Sequence, residues 1–183
     1  MNFNPHYDLE GRHAPFSASS PSWLRYDDAK LLNRYSSMQA AAFGSRLHEW
    51  AKETIDLGIK QAEVGKTINM YVNDAIAFGM KTEVVLFFSK FFFGTADTIA
   101  FRNNFLRIHD LKTGEHPATR EQLMVYAALF CLEYKIRPED INIELRIYQS
   151  NKIDIWQPTA AEIAAIMANI VHKNNVLEKR EEV

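Results

Sequence analysis

The sequence predicts an α/β fold built on a mixed sheet, and three observations carry that expectation. Helical patterning over the first third gives way to three β-branched and aromatic runs, at 83–88, 92–101 and 105–112. Between the second and third runs, Arg102-Asn103-Asn104 is a turn signal, because asparagine tolerates positive φ. The third run is followed by a long apolar helical stretch at 119–134 and an alternating run at 141–148. Such a crossover places its two strands parallel.

Each element follows from local pattern. Residues 1–22 are polar and turn-rich, with Pro5, Pro15 and Pro21 around Ser17-Ala18-Ser19-Ser20, and read as an arm. A short helix is expected at 23–32. Ser36 or Ser37 is expected to cap an alanine-rich helix reaching Asp56 and stopped by Gly58. A second helix is expected at 68–78, ended by Gly79. In the run at 141–148, Ile141, Ile143, Leu145 and Ile147 face one way, and Asn142, Glu144 and Arg146 the other. Pro158-Thr159 opens a last helix to about His172, and Glu162 completes a capping box with Thr159. The organisation expected is an arm at 1–22, one domain at 23–175 and a charged, fraying tail at 176–183.

Composition narrows the function classes. Among 183 residues, 21 Lys and Arg balance 23 Asp and Glu, for a net charge of −2. That balance excludes a polybasic binder working by overall charge, while leaving room for a local basic cleft. The single cysteine, Cys131, excludes a disulfide framework, a four-cysteine zinc site and a cysteine-ligated iron–sulfur cluster. It sits among Leu129, Phe130 and Leu132 and reads as a core residue. No apolar run approaches the roughly 18 residues of a membrane span, and residues 1–10 lack a signal-peptide pattern. A reducing cytoplasm is the expected compartment.

The hairpin carries the chemistry. With Asn103 and Asn104 at the turn, Phe101 opposes Leu106, Ile99 opposes Ile108, Asp97 opposes Asp110 and Thr95 opposes Lys112. Opposed residues share a face, so one apolar row ends in two aspartates and a lysine. The other face carries Ala96, Thr98, Ala100, Arg107, His109 and Leu111. Two opposed carboxylates repel unless a cation lies between them, and oxygen ligands suit Mg²⁺ or Mn²⁺. Lys112 points to the side of Asp110, where an ammonium can stabilise phosphorane-like charge or orient an attacking water. The bland alternative is a surface hairpin with a solvated Asp–Lys pair.

Together these residues resemble a known family. Gly94-Thr95-Ala96-Asp97, then Asp110-Leu111-Lys112, then Gln122-x-x-x-Tyr126 is similar to the PD-(D/E)XK nuclease superfamily in its RecB-like branch, which includes many phage-encoded nucleases. Its pattern is G-x-x-D, (D/E)-x-K and Q-x-x-x-Y on the next helix. Gly44-x-x-x-His48 and Ser20-Pro21-Ser22-Trp23-Leu24 resemble its upstream segments, so the resemblance covers about residues 17–148. It implies a restriction-endonuclease-like α-β-β-β-α-β core, a mixed sheet flanked by helices. Asp97, Asp110, the carbonyl of Leu111 and His48 would hold Mg²⁺ or Mn²⁺. Lys112 would be the catalytic lysine, and Gln122 and Tyr126 would orient it or contact the phosphodiester.

The activity implied is metal-dependent hydrolysis of DNA, with an exonuclease favoured, in phage or prophage recombination or DNA processing. A recombination or packaging partner and a homo-oligomer fit that setting, and a membrane does not. Departures are Asp110 where glutamate is commoner, and Tyr26 where iron–sulfur members begin their cysteine set. Competing readings are a nuclease-fold module that binds DNA or protein without cleaving, and a purely structural α/β domain. Individual residues also have plainer readings: Gln122 as the N3 partner of a Thr119 capping box, Tyr126 as a core aromatic, His48 as a structural histidine, and Glu83 as a solvated strand end in place of an extra acid approaching the metal. His109 points away from Asp110, and His6, His13, His116 and His172 show no spacing signal.

Overall fold

The computed structural model describes residues 7, 14–114 and 118–181. Pro5, His6, His13, His116 and Pro117, and the last two residues of the expected tail, lie outside the described residues. A short 3₁₀ turn at Pro21–Arg25 precedes helix α1, Asp28–Asp56. The turn is tied back by the Trp23 indole, whose Nε1–H donates to the Ser17 carbonyl at 3.0 Å.

Helix α1 is continuous where two helices were expected. Its cap is Asp27, whose Oδ1 accepts the Lys30 N–H at 2.7 Å. Ser36 and Ser37 lie inside it. The Ser37 hydroxyl donates to the Asn33 carbonyl one turn back at 2.9 Å, so it bonds within the helix instead of starting one. The chain divides within α1 into two compact units, Met1–Ser45 and Arg46–Val183. Everything described below belongs to the second.

Helix α2, Thr67–Ala77, ends at Gly79, which adopts φ 59°. The Met80 N–H then reaches back to the Ala75 carbonyl at 2.9 Å, satisfying one of the orphan carbonyls of the helix end. Five strands follow: β1 (Lys81–Ser89), β2 (Phe92–Arg102), β3 (Phe105–Leu111), β4 (Asn142–Gln149) and β5 (Lys152–Trp156). They form one mixed sheet in the order β1-β2-β3-β4-β5. The β3–β4 pair is parallel and the others antiparallel. Helix α3, Glu121–Tyr134, makes the β3–β4 crossover as the pattern predicts. The sheet is thus an α/β mixed sheet flanked by helices.

Two elements depart from expectation. Strand β5 was not foreseen. It is a five-residue edge strand reached through Ser150 and Asn151, both at positive φ (51° and 58°), and Ser at the first position lacks the usual Asn-Gly hairpin signal. Helix α4 runs Ala160–Glu181, past His172 and through the tail expected to fray. Lys179 and Arg180 occupy its last turn, where cations favour the helix dipole, and Lys90 pairs with Glu181. The Thr159–Glu162 capping box forms, each residue bonding the other's backbone N–H.

The sheet is covered on both faces. Leu106, Ile108, Leu145 and Ile147 pack with Leu123, Ala127 and Cys131 of α3 and with Ile163 and Ile170 of α4. Each such aliphatic side chain, fully buried, contributes about 1.5–3 kcal/mol. On the other face, Leu111 and Tyr148 pack with Tyr71, Val72 and Ala75 of α2 and with Ala51 and Ile55 of α1.

Strand β2 does not keep one alternation. Ala96 and Ile99 both join the α3 cluster, although residues three apart on a regular strand face opposite ways. The expected face of Ala96, Thr98 and Ala100 is therefore broken at Asp97. The partner strand shows why. Pairing runs from Thr82↔Thr98 to Val84↔Ala96 and skips Glu83 and Asp97, and Glu83 sits in the left-handed region at φ 46°. A residue turned this way resets which side of the strand its successors face.

Candidate active site where β2 and β3 part

The hairpin register holds from Arg102↔Phe105 to Thr98↔His109 and stops there. The expected backbone pairings Asp97↔Asp110 and Thr95↔Lys112 do not form, because the irregularity at Asp97 carries β2 away from β3. Their side chains bridge the opening instead. Asp97 Oδ2 accepts the Leu111 N–H at 3.0 Å, taking the place of a strand carbonyl. Lys112 turns its own N–H to the Tyr148 carbonyl of β4 at 2.9 Å.

Asp110 is 2% exposed and faces the α3 side with Ile108. Lys112 Nζ lies 3.1 Å from its Oδ1 and 2.9 Å from its Oδ2. The hydrogen bond is directed at Oδ1, and the buried Oδ2 lacks one. The same ammonium donates to Gln122 Oε1 at 2.8 Å. Gln122 Nε2 in turn donates to the Tyr126 hydroxyl at 3.1 Å. Gln122 and Tyr126 stand one turn apart on α3, which allows the relay. The capping-box alternative for Gln122 is not realised, since Arg120 occupies the cap without a side-chain bond.

Glycine at 94 is required by the same relay. A Cβ there would fall 2.8 Å from Tyr126 Cε1, so any larger residue displaces the ring. On the other side, His48 of α1 places Nδ1 3.4 Å from Asp97 Oδ2. The side chains singled out by the motif spacing thus fall into two linked sets, His48 with Asp97 and Asp110–Lys112–Gln122–Tyr126, which meet through the Leu111 N–H and the charge of Asp110 on Asp97.

The electrostatics are those of two neighbouring acids of which only Asp110 pairs with an ammonium. Burial, and then the neighbouring charge of Asp110, raise the Asp97 carboxyl above the usual carboxylate range, against the Leu111 N–H, His48 and Lys112. A cation beside the two aspartates would relieve that repulsion and satisfy the orphaned Oδ2. In kind, two carboxylates, an imidazole and a backbone carbonyl suit a hard divalent ion. As the side chains stand, no three His, Cys, Asp or Glu among the described residues gather tightly enough to hold one.

Three residues near the site escaped sequence reasoning. Tyr71 of α2 is buried, its hydroxyl bonds Thr98, and burial and then Asp97 push its ionisation well up. Lys52 of α1 pairs with Glu83 at 3.0 Å, which ties α1 to the irregularity opposite Asp97. Tyr148 donates to Asp74 Oδ2 at 2.6 Å and lies 3.3 Å from His109 Nδ1. None carries a motif; only the packing of α1 and α2 on the sheet brings them here. His109 does lie on the α2 side, edge-on to Phe78, away from Asp110.

No family model matches the chain, and no curated protein or solved structure matches it either. The class defined by the fold is an α/β protein with a five-stranded mixed sheet. No helix among the described residues is long and apolar enough to cross a membrane.

Proposed function

We propose that this chain is a metal-dependent deoxyribonuclease of the RecB-like PD-(D/E)XK type, with a restriction-endonuclease-like core. The observation that carries the reading is the relay Asp110–Lys112–Gln122–Tyr126 beside Asp97 and His48. A structural ion pair needs no glutamine and tyrosine to aim its lysine. A phosphodiester hydrolase does, because an ammonium lowers the barrier only where negative charge grows.

Each residue then has a task. Asp97 and Asp110, with His48 and the Leu111 carbonyl, are the donors for Mg²⁺ or Mn²⁺. The ion, when bound, would supply an activated water and neutralise charge on the phosphate. Lys112 Nζ donates to a phosphoryl oxygen or orients the attacking water. Gln122 holds that Nζ through Oε1, and Tyr126 holds Gln122 through Nε2. The expected setting is the cytoplasm of a bacterial or phage-infected cell, in recombination or DNA processing with a partner protein, and the expected mode is exonucleolytic. Net charge of −2 understates attraction for DNA once two aspartates are committed to a cation.

The test is degradation of linear and circular plasmid DNA with Mg²⁺ or Mn²⁺. Cleavage of linear DNA that Asp110→Ala and Lys112→Ala abolish is expected. Cleavage at the wild-type rate in either variant overturns the assignment. A second reading has its own observation: without three gathered donors, Lys112 itself neutralises Asp110, as in a nuclease-fold module that binds DNA or protein without cutting. That reading expects DNA binding with no cleavage and no change in melting temperature on adding Mn²⁺.

A further inference from the structure

At the hairpin-turn end of β2, a groove of about 250 Å³ opens between the strands and the end of α3. Arg102, at its edge, pairs with Phe105 at the start of β3. Leu111 lies at the far end of that strand, about 20 Å away at roughly 3.3 Å per residue. Leu86, Ile99 and Phe130 form the floor, and Phe101 and Tyr134 line the opening. Three aromatic rings step outward here. The buried Phe130 ring lies 5.1 Å from that of Phe101 and 4.8 Å from that of Tyr134, which are 37% and 53% exposed. Rings packed this way hold one another at fixed angles, so the surface is ordered before anything meets it, which lowers the entropy cost of binding.

The rim carries two cations, Lys81 and Arg102. Arg102 lies across Gly79: its Nη2 donates to the Gly79 carbonyl at 3.3 Å, and a Cβ at Gly79 would fall 2.8 Å from that nitrogen. Glycine just past α2 thus both turns the chain at φ 59° and leaves room for the guanidinium. Among the described residues, no acid forms an ion pair with Arg102 or Lys81. Glu133, the residue before Tyr134, accepts the Phe87 N–H instead, at 2.8 Å. In a chain of net charge −2, two unmatched cations beside exposed aromatic rings make a local positive edge.

We propose that this groove docks an acidic segment of a partner protein, which seats one aromatic or branched aliphatic side chain among Phe101, Phe130 and Tyr134 and sets carboxylates on Lys81 and Arg102. Volume favours a protein over a free small molecule. At about 250 Å³ the groove is below the roughly 300–1,000 Å³ of small-ligand pockets and takes a single anchoring side chain. Tyrosine and arginine around a buried pocket are the residue types that carry most of the binding energy at protein interfaces. Complementary charge on the partner speeds the encounter and fixes its register. The proposal goes beyond the nuclease reading and stands whether or not the chain cleaves DNA.

The experiment is fluorescence anisotropy on the full chain with three labelled peptides as probes: Glu-Asp-Glu-Phe-Leu-Asp-Glu, its charge-reversed form Lys-Arg-Lys-Phe-Leu-Arg-Lys, and Glu-Asp-Glu-Ser-Ser-Asp-Glu, which lacks the anchor. The first is expected to bind saturably, about tenfold or more tighter than either of the others. Arg102→Glu and Tyr134→Ala, both at exposed positions, are each expected to weaken that binding by about tenfold. Melting temperatures of both variants are recorded, and Arg102→Glu decides alone if Tyr134→Ala does not fold. Absence of saturable binding, equal binding of the first peptide and either control, or wild-type binding by the folded variants overturns the proposal. Sedimentation of the protein alone tests for a second copy in the groove: a dimer that Arg102→Glu dissociates overturns the proposal, and an unchanged mass supports it. A labelled hairpin duplex tests for nucleic acid. Duplex binding that Arg102→Glu weakens about tenfold while the acidic peptide stays bound at wild-type affinity also overturns it.

Discussion

Asp97 accepts the backbone N–H of Leu111 at 3.0 Å, across the gap where β2 leaves β3. Leu111 is 1% exposed, so its amide has no water to fall back on. Asp97→Ala should strand that donor and cost about 1–3 kcal/mol in urea unfolding. Asp97→Asn keeps an acceptor and removes the repulsion from Asp110, and should be neutral or stabilising at pH 7. Both should abolish cleavage. A larger stability loss for the asparagine than for the alanine would mean the amide bond is not what matters.

Lys112 and Asp110 should be strongly non-additive. Lys112→Met leaves a buried carboxylate without its cation and should cost on the order of 1–3 kcal/mol, less than the roughly 3–5 kcal/mol of a fully buried pair because Lys112 is 30% exposed. Adding Asp110→Asn should recover most of it, with cleavage absent throughout. Thermal denaturation of the four proteins in the cycle checks this, and simple addition of the two losses would contradict it.

Gln122→Leu should act on rate more than on binding. It removes the acceptor at 2.8 Å that aims Nζ but leaves the charge of Lys112 in place. A fall in kcat of about 10–100-fold with KM little changed is expected for lost transition-state positioning. Tyr126→Phe, one bond further away, should lose less. Steady-state kinetics on a linear substrate distinguishes this from a glutamine that merely stabilises α3.

His109 predicts the acid limb of stability. Burial first, then the charges of Arg146 and Arg107, bring it down to about 3. The folded state keeps it neutral while the unfolded chain takes up a proton below about pH 6.5. Its contribution is therefore present above 6.5 and lost as pH falls toward 3, at up to about 1.4 kcal/mol per pH unit. In metal-free buffer, His109→Gln should flatten the unfolding free energy across that window. An unchanged slope would show that His109 is not the group responsible.

Glu83 should tolerate glycine better than a branched residue. Its φ of 46° is costly for most side chains and free for glycine. Glu83→Gly should keep cleavage within a few-fold, losing only an exposed ion pair with Lys52. Glu83→Val should destabilise by about 1–3 kcal/mol and reduce cleavage by disturbing the irregularity opposite Asp97. Equal effects of the two changes would mean the backbone conformation is not required.

Much of this protein is legible in one dimension. Periodicity and turn chemistry suffice for the order from α2 to β4, the parallel β3–β4 crossover and the Phe101–Leu106 and Ile99–Ile108 register, because these depend on neighbours in sequence. The spacing Gly94, Asp97, Asp110, Lys112, Gln122, Tyr126 likewise picks out residues that the fold links. Other features depend on contacts distant in the chain. Alternation alone carries the register on to an Asp97–Asp110 pair, but Glu83, on the neighbouring strand, turns left-handed and breaks it. The opening that results is closed by a side chain accepting a backbone N–H, which no pattern of residue types encodes. The bond from the Thr67 N–H to Asn151 is likewise a tertiary outcome, since the two residues are 84 apart and meet only when α2 packs on the sheet. Local sequence determined which groups are available; the packing of α1, α2 and α3 on the strands decided where each one points.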